Sequence, residues 1–216
     1  MTDDVKPTRR RYDASGRRAR AQQTREHVVA VATRLFERDG YAPTTLAGVA
    51  QEAGVSPETV YKTFGSKPLL LRAAINTAVR GDSGSTPLRR RAVIDQIRQE
   101  PDARRQLELY AAMLEEVQPR LAPLIGVMRE AAPRHPEIAA ALEQLNRDRL
   151  DGMSELAAQL AARSVLRPGV DERQARDVLW TLNSPELYEL LVVARGWSGP
   201  EYRRWITETL IAVLLW

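Results

Sequence analysis

Cysteine is absent from this 216-residue chain, and only two histidines occur, His27 and His135. The first absence excludes disulfides, zinc–thiolate sites, iron–sulfur clusters and cysteine nucleophiles together. The second leaves histidine-based metal sites and triads thinly supplied. Lysine is scarce too: of 32 basic residues only Lys6, Lys62 and Lys67 are lysines. The longest apolar run is Leu210–Trp216, far short of the roughly 20 residues that span a bilayer. The arginine-rich start has no apolar stretch, so no secretory signal is expected and the cytoplasm is the expected address. No membrane partner, metal, cofactor or catalytic residue is expected. Period-2 strand patterns, Asn-Gly hairpins and internal repeats are missing as well.

What is present is an ordinary globular composition, 44% hydrophobic and 28% charged, in a chain long enough to bury a sizeable core. The net charge of +4 is unevenly placed. Residues 1–80 hold 14 basic and 8 acidic side chains, a net of +6, whereas residues 81–216 hold 18 and 20, a net of −2. A basic head on a near-neutral body predicts a polyanionic partner for the head alone.

Residues 1–16 read as a disordered basic arm, with Arg9-Arg10-Arg11 and Ser15-Gly16 and almost nothing apolar. From about Arg18 the sequence turns helical, with Val28, Val29, Ala32, Leu35 and Phe36 on one face. Gly40 is a left-handed cap for that helix. Thr44 or Thr45 caps a short second helix carrying Leu46, Val49, Ala50 and Ala53 at i, i+3, i+4 and i+7. After Gly54-Val55, Ser56-Pro57-Glu58 starts a third helix with a serine cap, a proline in its first turn and an acid beside it. Ser66-Lys67-Pro68 opens a fourth. The Gly/Ser/Pro-rich stretch Gly81–Pro87 is the expected boundary between a unit over 17–81 and a unit over 88–216. The second unit reads as helices at 89–98, 101–130, 136–164, 171–195 and 200–215. Pro119 and Pro123 are expected to break or kink the second of these. Pro185 is expected to kink the fourth and to free a carbonyl near Asn183. The fold class is all-α.

Two short helices joined by Ala53-Gly54-Val55-Ser56 form a helix-turn-helix pattern, which leaves the second helix free to enter a major groove. Thr44 and Thr45 lie where free helix amides suit a phosphate oxygen. Lys67, in a first turn, opposes the helix dipole, which an outside anion would explain. Glu58, Thr59 and Lys62 occupy the exposed face of 57–63. A glutamate can accept from cytosine, a lysine can donate to guanine, and a threonine can bond a base or touch a thymine methyl. Glu58 can equally serve only its own helix start. Arg17, Arg18 and Arg20 are placed to enter a minor groove or meet phosphates.

The stretch from Arg25 to Leu70 resembles the N-terminal domain of TetR-family transcriptional regulators. The matching residues are Arg25, Ala32, Leu35-Phe36, Gly40-Tyr41, Thr44-Thr45, Val49-Ala50, Ala53 to Ser56, Thr59, Tyr61, Phe64 and Ser66-Lys67. The resemblance implies a homodimeric, ligand-responsive repressor on an inverted-repeat operator, with double-stranded DNA and a small-molecule effector as partners. It also implies that the Tyr61 hydroxyl reaches a backbone phosphate; packing in the core is the alternative.

The body carries more apolar surface near its end than one small bundle hides, and an exposed patch of that kind marks a partner surface. Leu187, Leu190, Leu191, Trp205, Leu210, Val213 and Leu214 are therefore the expected dimer interface, an isologous pairing of two helices with their copies. A ligand pocket is expected among Tyr110, Met113, Leu114, Leu124, Met128, Trp180, Asn183 and Tyr188, a mixture of adaptable sulfur, aromatic rings and a lone amide. Two other classes stand beside this reading. A helical enzyme would use Glu115-Glu116 or Asp148 with Asp151, but no histidine accompanies either pair. An architectural DNA-binding dimer would need no pocket.

Overall fold

The computed structural model describes residues 14–81 and 92–216. Among them every regular element is helical, apart from a single antiparallel bridge between Leu166 and Leu215. Helix α1 spans Ala14–Asp39, α2 Leu46–Glu52, α3 Pro57–Phe64 and α4 Lys67–Arg80. Helix α1 begins earlier than expected, so Gly16 belongs to it rather than to a disordered arm. The remainder of the expected arm, residues 1–13, and all of the expected linker after Gly81 lie outside the described residues.

The local signals explain the three short helices of the head. The Thr45 hydroxyl accepts from the Gly48 amide at 3.0 Å, and Ser56 accepts from the Thr59 amide at 3.2 Å, each satisfying one otherwise orphaned donor. Thr44 does not share that role. It is buried, and its hydroxyl donates to the Gly40 carbonyl at 2.8 Å. Between α2 and α3 the chain reverses at Gly54, whose φ is +64°. That value suits glycine and strains a residue with a Cβ.

The body holds α5 (Ala92–Gln99), α6 (Ala103–Ala131), α7 (Pro136–Ala162), α8 (Glu172–Leu182), α9 (Pro185–Tyr188) and α10 (Gly199–Leu214). Helix α6 corrects one expectation: it runs unbroken through both Pro119 and Pro123. An interior proline costs about 3 kcal/mol. Against that, α6 buries Leu107, Tyr110, Leu114, Leu124, Ile125 and Met128 among others, each contributing roughly 1.5–3 kcal/mol, so tertiary packing wins. Pro185 acts more strongly than expected. It splits the expected 171–195 helix at Asn183-Ser184, and Ser184 recaps the next turn through the Leu187 amide at 3.2 Å. Residues Glu189–Ala194 then continue as a π-helical turn.

Two apolar clusters fill the molecule. One gathers α1–α4 with Leu124, Ile125, Val127, Met128 and Ala131 of α6 and Ile138 of α7. The other joins α5, the N-terminal half of α6, α7, α8, α9 and α10. The first cluster therefore crosses the expected division at Gly81. Leu210 and Leu214 are wholly buried in the second cluster. They belong to the protomer's own core and are corrected as candidates for a dimer interface.

Gly54→Ala tests the corner. Nothing lies within 4 Å of a Cβ built there, so the change costs left-handed backbone strain alone, about 1–2 kcal/mol. Urea unfolding should show that loss; an unchanged midpoint would show that the corner does not need glycine.

Candidate nucleic-acid interface and cavity

Helix α3 turns Val60 and Phe64 into the core and leaves its other face in solvent. On that face Tyr61 is 55% exposed. Glu58 and Lys62, one turn apart, pair at 2.7 Å with both side chains about three-quarters exposed. The Thr59 hydroxyl lies 2.8 Å from that of Ser56, and the Thr63 hydroxyl donates to the Thr59 carbonyl at 2.7 Å. Exposure disposes of core packing as the role of Tyr61. The Glu58–Lys62 pair is a solvated ion pair of small net worth, so an outside partner can replace it at little cost.

The helix is anchored from behind. Arg25 on α1 donates to the Thr63 carbonyl at 3.4 Å, and its guanidinium lies 4.7 Å from the centre of the Phe64 ring. Arg17, Arg18 and Arg20 lie on the exposed first turns of α1. Thr45 is exposed at the start of α2, whereas Thr44 is withdrawn into the core and offers no hydroxyl to a phosphate.

Lys67 has acceptors inside the molecule. Its ammonium donates to the carbonyls of Tyr41 at 2.9 Å and Ala42 at 3.3 Å and sits 4.1 Å from the centre of the Tyr41 ring. Burial lowers its pKa, and Glu137 opposes that shift. The same tyrosine stacks on Phe36 and meets the edge of His135 at 4.9 Å. Tyr41 thus joins α1, α4 and the turn between α6 and α7. Arg120 of α6 makes a second tie, donating to the Ala78 carbonyl near the end of α4 at 3.0 Å.

The body contains two adjoining cavities. One, about 160 Å³, lies between α5, α6 and α7 and is lined by Tyr110, Met113, Arg149, Met153 and Asn183. The other, about 450 Å³, opens between α4, α6 and α7, with Asn76, Leu114, Gln118, Arg149 and Asn183 on its walls. Of the expected pocket residues, Tyr110, Met113, Leu114 and Asn183 therefore face cavity space. Leu124 and Met128 do not: they pack under the head in the first cluster. Tyr188 packs edge-on against Tyr202 at 5.3 Å in the second. Trp180 is the platform beneath the Arg149 guanidinium, 4.7 Å away, and lines neither cavity. The carbonyl freed at Asn183 accepts from the Gln118 amide at 2.8 Å.

Arg149 and Gln118 are the lining residues that pattern reading missed. A signal existed for each. Leu145, Arg149 and Met153 follow one another at four-residue steps on the inward stripe of α7, so Arg149 stands where an apolar residue belongs. Gln118 stands between Leu114 and Ala122, at the same four-residue steps, on the buried stripe of α6.

Burial first, and then the Glu137 carboxylate, pushes the Tyr41 phenol up to about 12. A phenol raised above its unfolded value near 10 contributes stability that is complete below about pH 10 and is lost as pH rises through about 12. Wild-type protein should lose stability to urea more steeply across that window than Tyr41→Phe. Parallel pH profiles for the two proteins would exclude Tyr41 as the titrating group.

Residues 28–74 match the profile of bacterial regulatory proteins of the tetR family. The segment is similar to the transcriptional regulator TtgR of Pseudomonas putida, 39% identical over 57 residues, which is 26% of this chain and 27% of that protein. It is also similar to AcrR of Shigella flexneri, 43% identical over 47 residues, 22% of each chain. The chain thus spans about a quarter of the length of these curated relatives. Solved structures extend the likeness to the whole fold. The SmeT–triclosan complex superposes with a TM-score of 0.69 at 18% identity, over 90% of this chain and 92% of that one. NalD of Pseudomonas aeruginosa, the secondary repressor of the MexAB-OprM multidrug efflux pump, gives 0.66 at 22% identity, over 90% and 98%. Residues 28–74 of this chain thus match the helix-turn-helix of the tetR family of bacterial regulatory proteins, and the chain as a whole shares the all-helical fold of the SmeT and NalD structures.

Proposed function

We propose that the protein is a sequence-specific, DNA-binding repressor that acts in the cytoplasm as a homodimer on an inverted-repeat operator and responds to a small-molecule effector. The exposed face of α3, with Tyr61 and Lys62 free of the core, carries this reading. A helix anchored from behind by Arg25 and open in front is suited to a major groove. In this reading residues 17–81 form the DNA-reading unit and residues 88–216 the effector and dimer unit. Thr59, Lys62 and Glu58 face base edges. Tyr61, Thr45 and the amides at the start of α2 meet phosphates, Arg17, Arg18 and Arg20 add contacts at the flank, and Lys67 reaches the backbone with the donor that Tyr41 and Ala42 leave over.

The dimer reading is supported by apolar side chains that the protomer leaves uncovered: Leu190 at 61% exposure, Val193 at 72% and Val213 at 37%. Leu187, Leu191 and Trp205 are half-buried beside them. A two-fold pairing across this face would cover all three exposed side chains in one contact. The effector reading is supported by the larger cavity, which borders α4 directly. A ligand there changes DNA affinity only to the extent that it binds the two arrangements of α4 and α6 unequally.

Footprinting on genomic DNA fragments should give a protected inverted repeat with half-site centres about 34–36 Å apart, or a multiple of that. Thr59→Ala and Lys62→Ala should each change preference at particular base pairs, by about 1–3 kcal/mol; equal weakening on every sequence would contradict base readout. Lys67→Ala should lower the salt dependence of binding by about one phosphate contact.

Leu190→Glu should convert the dimer to monomer in sedimentation while leaving the helix content intact. An unchanged dimer would place the interface elsewhere.

A further inference from the structure

The two cavities meet at a cluster of hydrogen-bond donors that has few acceptors beyond the Tyr110 oxygen, which the Asn183 amide approaches. The Tyr110 hydroxyl and the Asn183 amide both point at the Met153 sulfur, at 2.9 and 3.5 Å. A thioether is a weak acceptor. Beside them Arg149 has a fully buried Nε without any hydrogen-bond partner, and the guanidinium's other polar contact is the Trp180 carbonyl at 3.5 Å. Among the described residues no carboxylate forms an ion pair with this guanidinium. Glu186, whose negative charge acts on it from a distance, is held by Arg129 at 3.1 Å.

A guanidinium withdrawn in large part from solvent, with its Nε fully buried and no carboxylate beside it, is costly, and proteins rarely keep one without a partner. The acids on the cavity walls do not supply it. Asp148 is exposed and receives the Gln144 amide at 2.9 Å, and Glu155 is paired with Arg98. One acceptor is also left over: Gln118 Oε1 is buried and without a partner on the wall of the larger cavity. The walls between these polar groups are Met113, Leu114 and their apolar neighbours.

We infer that the effector is an organic monoanion. Its carboxylate, or an equivalent oxyanion, is received by Arg149 with Tyr110 and Asn183, and its apolar body lies along Met113 and Leu114 towards α4. This rests on the effector-responsive reading above and names the ligand class of that site. Arg149 offers a planar fork of N–H donors matched to two oxygens, and Trp180 holds the fork flat from behind. A hydroxyl or amide N–H on the ligand would satisfy Gln118.

The test is calorimetric titration of the full chain with two matched series: 2-naphthoate, its methyl ester and 2-naphthylmethylamine, then decanoate, methyl decanoate and decylamine. Each carboxylate should bind at least about 10-fold more tightly than its ester or amine, the scale of a hydrogen bond to a charged group. Arg149→Met should bring that ratio close to one, and Tyr110→Phe should reduce it in part. The ester comparison needs no variant, so it stands even where Arg149→Met fails to fold. An ester or amine that matches its acid overturns the inference. So does silence from both acids at about 1 mM, the weak end of specific binding. Retention of the footprinted DNA, measured alongside, separates the two claims. An acid that binds through Arg149 without altering DNA retention keeps the anion site and removes the effector reading. A neutral or cationic compound that releases the DNA does the reverse.

Discussion

Helix α6 has to be buried along nearly its whole length, and in two different places. Its N-terminal half carries Leu107, Tyr110 and Leu114 into the core of the body, and its C-terminal half carries Leu124, Ile125 and Met128 beneath the short helices of the head. A rigid rod shared between two cores cannot shift in one without disturbing the other, because packed interiors yield in steps rather than continuously. The two prolines within it show how strongly it is held. The ties from Arg120 to α4 and from His135 to Tyr41 lie along and just past its C-terminal half. The cavity and the helix-turn-helix therefore belong to one mechanical unit, although a Gly/Ser/Pro-rich sequence separates their segments along the chain.

Local chemistry was legible where it was local. The caps at Thr45 and Ser56, the first-turn Pro57, the glycine at the corner and the inward face of α1 all follow from side chains within four residues of one another, and each stands where its pattern places it. What the sequence left hidden has a different cause. Lys67 reads as a lone cation in a first turn because its acceptors lie about 26 residues away in sequence. Pro119 and Pro123 read as breaks or kinks, yet α6 is unbroken, because propensity cannot see the burial that overrides it. Leu210 and Leu214 read as interface because an apolar helix near a chain end does not reveal which of its faces meets its own core. Which leucines point outward is a property of the packed bundle.

The cavity was half legible. Tyr110, Met113, Leu114 and Asn183 were recognisable as types that line pockets, but the polar groups that would choose a ligand, Arg149 and Gln118, were hidden by their chemistry. A charged or amide side chain in a long helix is ordinarily solvated, and only its position on the inward stripe marks it as different. Such a residue breaks the local rule for a helix, and broken local rules concentrate at functional positions.

The near-absence of lysine gives the molecule an uneven chemical surface. Arginine carries almost all of the positive charge, and arginine does not react with amine-directed acylating reagents under mild conditions, being protonated throughout. Of the two lysines among the described residues, Lys67 is capped by two carbonyls and an aromatic ring, whereas Lys62 stands three-quarters exposed at the centre of α3. A reagent that seeks free amines thus meets, across the folded head and body, essentially one address, and that address lies on the face proposed to read bases.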